Sequence, residues 1–333
     1  MPYLYKSNKQ RGGIKNMKWN KRVYGVIGIS SIMANWNADF SHRPKTTING
    51  EIFGSDKALK YPMKKMWDNT GEKVLAIKSY IIPNDKKGKE LDKFQPRDLE
   101  ERYEYIFGEE VNEKTPSLTV LKNLFAAVDV MNFGTTFAVK KQNISITGAV
   151  QLGQGFNKYK DADIHTQDIL SPYRNSNDSS EGNTTSTLGT KIVTDEAHYF
   201  YPFSINPNNY KDYEKLGIEN FTGYSEEAYE LFKKAALISA TAFNTNSKAG
   251  CENEFALFVI CKEECEAYLP NLDAYVVFEK GTGDDMNKIS LLKLGELLEG
   301  KNDEIESIEI YYNPVTTIIE MGNKFKASLR RLY

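Results

Sequence analysis

Val23 to Ile32 reads VYGVIGISSI, an apolar run rich in β-branched residues and too short to cross a bilayer. Glu254 to Cys261, EFALFVIC, is a second run of the same kind. Both read as buried strands, and the elements around them limit the fold. Ser55-Asp56 opens a helix running to about Asn69, with Pro62 inside it predicting a kink or a later start. Further strands are expected over Val74–Ile82, Ile144–Leu152, Thr190–Phe203 and Ile305–Tyr312. Helices are expected near 98–107, 117–128 and 289–298, and most clearly over 225–243, where Tyr229, Phe232, Leu237 and Ile238 supply an apolar set. Stripped of insertions, the order is strand 23–32, helix 56–69, strand 74–82, strand 144–152 or 190–203, helix 225–243, strand 254–261. That is an α+β, ferredoxin-like split βαβ order, shared with the RNA-recognition fold, whose sheet face often meets single-stranded RNA.

Charge is divided unevenly along the 333 residues. Residues 1–65 hold thirteen Lys and Arg against three acids, while the whole chain carries a net charge of −2. A basic end of this kind suits a polyanion, and a solvated basic tail produces the same count. Residues 1–21 read as a flexible basic arm. No apolar run approaches the length of a membrane span, and Met1 to Arg22 lacks the apolar stretch of a secretory signal. Three cysteines, Cys251, Cys261 and Cys265, cannot make an even disulfide framework, which fits a reducing cytoplasm.

Few residues are arranged for covalent chemistry. His42, His165 and His198 lie in different segments, and the cysteines have no nearby histidine, so neither a metal site nor a cofactor site is expected. Gly153-Gln154-Gly155 is not followed by the helix that a dinucleotide loop requires. Asp39 is the one loop carboxylate to weigh as a catalyst, against its plainer reading as a turn former. The helix from Asp56 is more informative. Lys57, Lys60 and Lys64 fall on one face, and Leu59, Met63, Met66 and Trp67 on another. A helix buried by one side and basic on the other suits phosphate binding, although a solvated helix face also carries lysine rows. Residues 244–250, NTNSKAG, set Asn246 and Lys248 among small residues that let backbone N–H groups approach an anion.

Four stretches taken together resemble a known family: YGVIGISSIMANWNADFSHRPKTTINGEIFGSDKALKYPMKKMW, SITGAVQLGQGFNKY, LGTKIVTDEAHYFYPFSINPNNY and SATAFNTNSKAGCENEFALF. They resemble the repeated guide-RNA-binding backbone subunit of type I CRISPR Cascade effectors, in a subtype I-B branch, over residues 22–320. The resemblance implies an RNA-recognition-type palm (22–82, 136–152, 190–204 and 225–263), helical fingers (83–135), a thumb hairpin (150–189) and a C-terminal extension (264–333), all in one RNA-binding domain over 22–333. It implies copies stacked along the CRISPR RNA beside other Cascade subunits, with the guide's bases left to pair with target DNA. Carried over by residue, it puts Ser55, Lys57, Lys60 and Lys64 at RNA phosphates. It sets Arg43 and Lys45 in the preceding loop, and Lys248 and Asn246 in the late small-residue loop. Lys158, Lys160 and Arg174 are the thumb's few basic residues. The expected function is non-catalytic guide binding in the cytoplasm. The alternatives are a metal-dependent RNase of the type III kind using Asp39, and a scaffold with no RNA role.

Overall fold

Val23–Ala34 is a single strand, almost wholly buried, hydrogen-bonded on both edges. On one side it pairs antiparallel with Leu188–Ile205, Val23 facing Ile205 and Ala34 facing Thr194. On the other it pairs antiparallel with Cys251–Cys261, from Val23 opposite Ile260 to Ser31 opposite Cys251, with a bulge between Gly28 and Ile29. Glycine is required at Gly25, because a side chain there would overlap the Leu257 carbonyl of the neighbouring strand. The structure, a computed structural model, describes residues 17–84, 91–170, 188–323 and 325–333.

Three antiparallel strands with the first in the middle form the centre of the split βαβ order, and the fold class is α+β. The helices Asp56–Asn69 and Glu226–Ile238 lie in the two long connections. The fourth position differs from expectation. Val74–Ile82 does not join this sheet. Only Tyr80–Ile81 is extended, and it pairs with Gln95–Pro96. The reason lies in distant side chains. The Asp129 carboxylate accepts from the N–H groups of Leu75 and Ala76 at 2.7 and 2.9 Å, and the Arg102 guanidinium donates to the Val74 carbonyl. The backbone groups of 74–76 are thereby satisfied without a ladder. The vacant edge is lined instead by Val150–Leu152 and Gly155–Asn157, with Phe53–Gly54 beyond. The expected strand 144–152 is thus two strands. Gln142–Thr147 pairs with Gly134–Val139, and the chain breaks at Gly148, where any Cβ would meet the backbone of residues 132–134.

The chain divides into two compact units. Lys21–Gly71, Val150–Asn206 and Lys234–Tyr333 hold the large sheet. Glu72–Ala149 and Pro207–Lys233, with residues 17–20, hold the short helices Leu99–Phe107, Ser117–Phe125 and Val128–Phe133 around an aromatic core that includes Tyr103, Phe125, Phe137 and Tyr210. Residues 72–82, 136–149 and 225–233, assigned to the palm by resemblance, therefore group with the helical unit. The last residues of the expected arm are docked within that unit: Trp19 stacks on Tyr229 with ring centroids 3.7 Å apart, and Lys18 bridges to Glu214 at 2.6 Å. The remainder of the arm, residues 1–16, lies outside the described residues. Among the described residues no helix is long and apolar enough to cross a membrane.

One face of the large sheet is closed. Tyr24, Val26, Phe200, Phe255 and Leu257 form a continuous core with Leu272, Val276, Phe278, Ile289, Leu291 and Leu294 from the C-terminal extension. The face that an RNA-recognition fold often opens to single-stranded RNA is here packed against the protein's own chain. In the segment that the resemblance assigns to a thumb, Ile164–Leu170 pairs with Leu188–Thr194, and the intervening residues 171–187, Arg174 among them, lie outside the described residues.

Candidate nucleic-acid interface

With the sheet face covered, the candidate basic residues are those of the loop and helix that follow the first strand. Every turn there is fixed by a polar side chain. The Thr194 hydroxyl donates to the Ala34 carbonyl at 2.9 Å. The buried Asn35 amide donates to the carbonyls of His42 and Ile192, both at 3.0 Å. The indole N–H of Trp36, fully buried, donates to the Tyr201 hydroxyl at 2.5 Å. Asn37 joins two further segments: its carbonyl accepts from the Lys45 N–H at 2.9 Å and its side chain from the Ser55 N–H at 2.7 Å. Asn35, Trp36 and Asn37 are not among the residues that the sequence marks as functional. The tripeptide N-W-N directly after an apolar strand was the available signal.

Asp39 is a turn former. One carboxylate oxygen accepts from the N–H and hydroxyl of Ser41, at 2.8 and 2.7 Å, and from the Arg43 N–H at 3.0 Å. The Ser41 hydroxyl leads in holding this carboxyl below the usual aspartate range. Among the described residues no cluster of three or more His, Cys, Asp or Glu is arranged to hold a metal ion.

The helix starts where its cap predicts, at Asp56, with the Ser55 hydroxyl accepting from the Ala58 N–H at 3.4 Å. Pro62 is buried within it, and the helix runs through to Asn69. Leu59, Met63 and Trp67 are buried together, as the spacing requires. Lys57 is exposed, whereas Lys60 is paired with Asp56 at 2.9 Å and Lys64 is half-buried. That ion pair outweighs burial at Asp56 and lowers its carboxyl below the ordinary value. Arg43 is exposed and Lys45 half-buried on the preceding loop.

The late loop packs against the same strand end: Asn35 N–H donates to the Ser247 carbonyl at 2.9 Å and Ile32 N–H to the Gly250 carbonyl at 2.9 Å. Asn246 is exposed there. Lys248 is a correction to the sequence reading. Its ammonium points inward, donating to the Asn35 carbonyl at 2.8 Å and to the Trp36 carbonyl, and burial pulls it down to about 8. Small flanking residues let the loop approach the strand end, not an anion. Lys158 is likewise turned inward, donating to the Asp273 carbonyl at 2.7 Å, while Lys160 is exposed.

Arg43 and Lys45 on the loop and Lys57, Lys60 and Lys64 on the helix thus belong to two segments joined through Asn37. Such cations can neutralise phosphates without reading bases.

Comparison with known proteins gives a family and a fold. The family model described as CRISPR-associated protein Cas7 matches residues 21–294. A chain of a solved "CRISPR RNA-guided surveillance complex, pre-nicking" is 12% identical, with 94% of this chain and 96% of that chain covered and a TM-score of 0.50. A chain of a "CRISPR RNA-guided surveillance complex" is also 12% identical, covering 90% and 95%, with a TM-score of 0.45. At such identity the first likeness bears on fold alone. No curated protein matches in sequence.

Proposed function

Since the chain belongs to the CRISPR-associated protein Cas7 family, we propose that it is a non-catalytic backbone subunit that grips CRISPR RNA by its phosphates. In this reading several copies stack along one guide in the cytoplasm, beside other Cascade subunits, and leave the bases free to pair with target DNA. The observation that carries it is the loop-and-helix row of Arg43, Lys45, Lys57, Lys60 and Lys64, fixed by Asn37 and Ser55. Ser55 acts by starting the helix, Asn246 lies on the exposed side of the neighbouring loop, and Lys248 acts as an internal clamp.

Salt dependence tests the reading. Arg43→Ala with Lys57→Ala is expected to weaken binding of single-stranded RNA about equally for every sequence. The plot of log affinity against log salt should flatten by about 0.7 for each phosphate no longer neutralised. Lys248→Ala should leave that slope unchanged, because its ammonium faces carbonyls. A loss that depends on RNA sequence, or an unaltered slope in the Arg43/Lys57 variant, contradicts the proposal. Sequencing the nucleic acid that copurifies with the chain and its companion subunits should return guide RNA.

A further inference from the structure

Phe40 is fully exposed, at 107% of its reference area. It occupies the second position of a tight turn in which the His42 N–H donates to the Asp39 carbonyl at 3.2 Å. Both ends of this turn are held. Asp39 clamps Ser41 and Arg43 from within, and Asn35 grips the His42 carbonyl from the strand end. Ala38 and Pro44 close the base of the turn by an antiparallel bridge. The ring is thus presented to solvent on a backbone with little freedom left to lose on binding.

What surrounds the ring decides what covers it. Ser41, His42 and Arg43 are all exposed, and Lys45 follows. A protein hot spot needs an apolar ring packed among neighbours that exclude water, and a lone phenylalanine among polar and cationic side chains does not supply that. A nucleobase needs only a flat π-face beside positive charge, whichever base it is. Ile48, also fully exposed on the next turn, has no such face. We propose that Phe40 is a stacking platform for an unpaired base of the bound RNA strand, which sets where along the strand the neighbouring cations meet phosphate. This rests on the guide-binding reading and adds to it an interaction with bases rather than with backbone.

The test uses the full chain, freed of nucleic acid, with a synthetic single-stranded RNA and the same strand carrying abasic sites. Because Phe40 touches no core, its replacement leaves folding intact. Phe40→Ala is expected to weaken binding to the intact strand about tenfold. The salt slope should not change, since the same phosphates stay neutralised. On the abasic strand the variant and the wild type should bind alike. Phe40→Trp should bind as the wild type does and lose emission on the intact strand only, measured as the difference from the wild type, whose signal comes from Trp19, Trp36 and Trp67. Equal affinity of Phe40→Ala and wild type for the intact strand overturns the proposal. So does a loss of the same size on the abasic strand. A change in self-association with RNA affinity preserved assigns the ring to a protein interface and also overturns it. Failure of the wild type to bind any RNA overturns the guide-binding reading itself, which the variants alone do not touch.

Discussion

His198→Leu is expected to destabilise the sheet unit by about 3–5 kcal/mol, the size of effect seen when one partner of a buried ion pair is removed. His198 is 2% exposed, and each ring nitrogen faces a carboxylate, Nδ1 to Glu254 and Nε2 to Glu196, both at 2.8 Å. Only the imidazolium donates to both. Phe278 of the C-terminal extension stacks on the ring at 4.0 Å, Tyr159 meets it edge-on, and Lys280 of the same extension pairs with Glu196 at 2.5 Å. Leucine would leave Glu254 facing an apolar neighbour, with its second oxygen already unpartnered. Burial alone would lower the pKa of His198, but Glu254 and Glu196 outweigh it and raise the pKa above the ordinary value of 6.5. The sign follows. This stabilisation is complete below pH 6.5 and is lost as pH climbs through the raised folded value. Burial likewise opposes the charge on Glu196, but Lys280 and His198 outweigh it and lower its pKa, so its own contribution fails only on the acid side, as pH falls through that lowered value. Amide exchange in Val277–Glu279, followed from about pH 6 to 9, should quicken with pH in the wild type beyond the chemical dependence. In His198→Gln, which cannot carry the charge, the excess should vanish. An equal pH dependence in the two proteins would refute this role of the charged His198.

What can be read from the residues divides by the range of the forces involved. The cap, apolar spacing and following glycine of the Asp56–Asn69 helix are local and legible, whereas the later start that Pro62 suggested does not occur, because Pro62 is accommodated, buried, within the helix. The two central strands are legible for a similar reason, a short apolar run having few other ways to be buried, and Ile305–Tyr312 by its alternation of apolar and polar residues. The absence of a strand over 74–82 is not legible, because the groups that capture its backbone are Arg102 and Asp129, dozens of positions away. Helix 225–243 ends early, at Ile238, for the same kind of reason: Asn253 on the following strand takes the N–H groups of Ala240 and Thr241. The basic row is visible as spacing. Which lysines face solvent is not, since the inward turn of Lys248 depends on two carbonyls at the far end of another strand. Nor can composition show that the C-terminal extension seals the sheet face, because the apolar residues of 267–298 read equally as a separate small core.

Gly54→Ala is expected to cost about 3 kcal/mol and to weaken RNA binding with it, although Gly54 has no side chain to touch RNA. An added Cβ would overlap the Tyr201 hydroxyl and approach Trp36 Cδ1 to 2.8 Å. Neither ring has room to yield: both are fully buried, and each is held by the hydrogen bond to the other. The strain must therefore move backbone. The backbone in reach is Phe53–Gly54 itself, which pairs with Gly155 and Phe156 and leads directly into Ser55. Displacing Ser55 loosens its N–H from Asn37, the joint that fixes the basic helix to the basic loop. Cations that no longer lie on one path gain less from a phosphate chain than the same cations held in line. Tyr201→Phe supplies the discriminating control, because it removes the atom the new methyl strikes first. The double variant Gly54→Ala with Tyr201→Phe should be less destabilised than the sum of the single losses, a coupling of about 1 kcal/mol or more between adjoining residues. Denaturant midpoints give the stability side of the cycle, and RNA affinity at fixed salt gives the other. Strict additivity in stability would mean that Gly54 is not packed against Tyr201. A destabilised Gly54→Ala protein that keeps full RNA affinity would mean that the joint at Asn37 does not align the basic row.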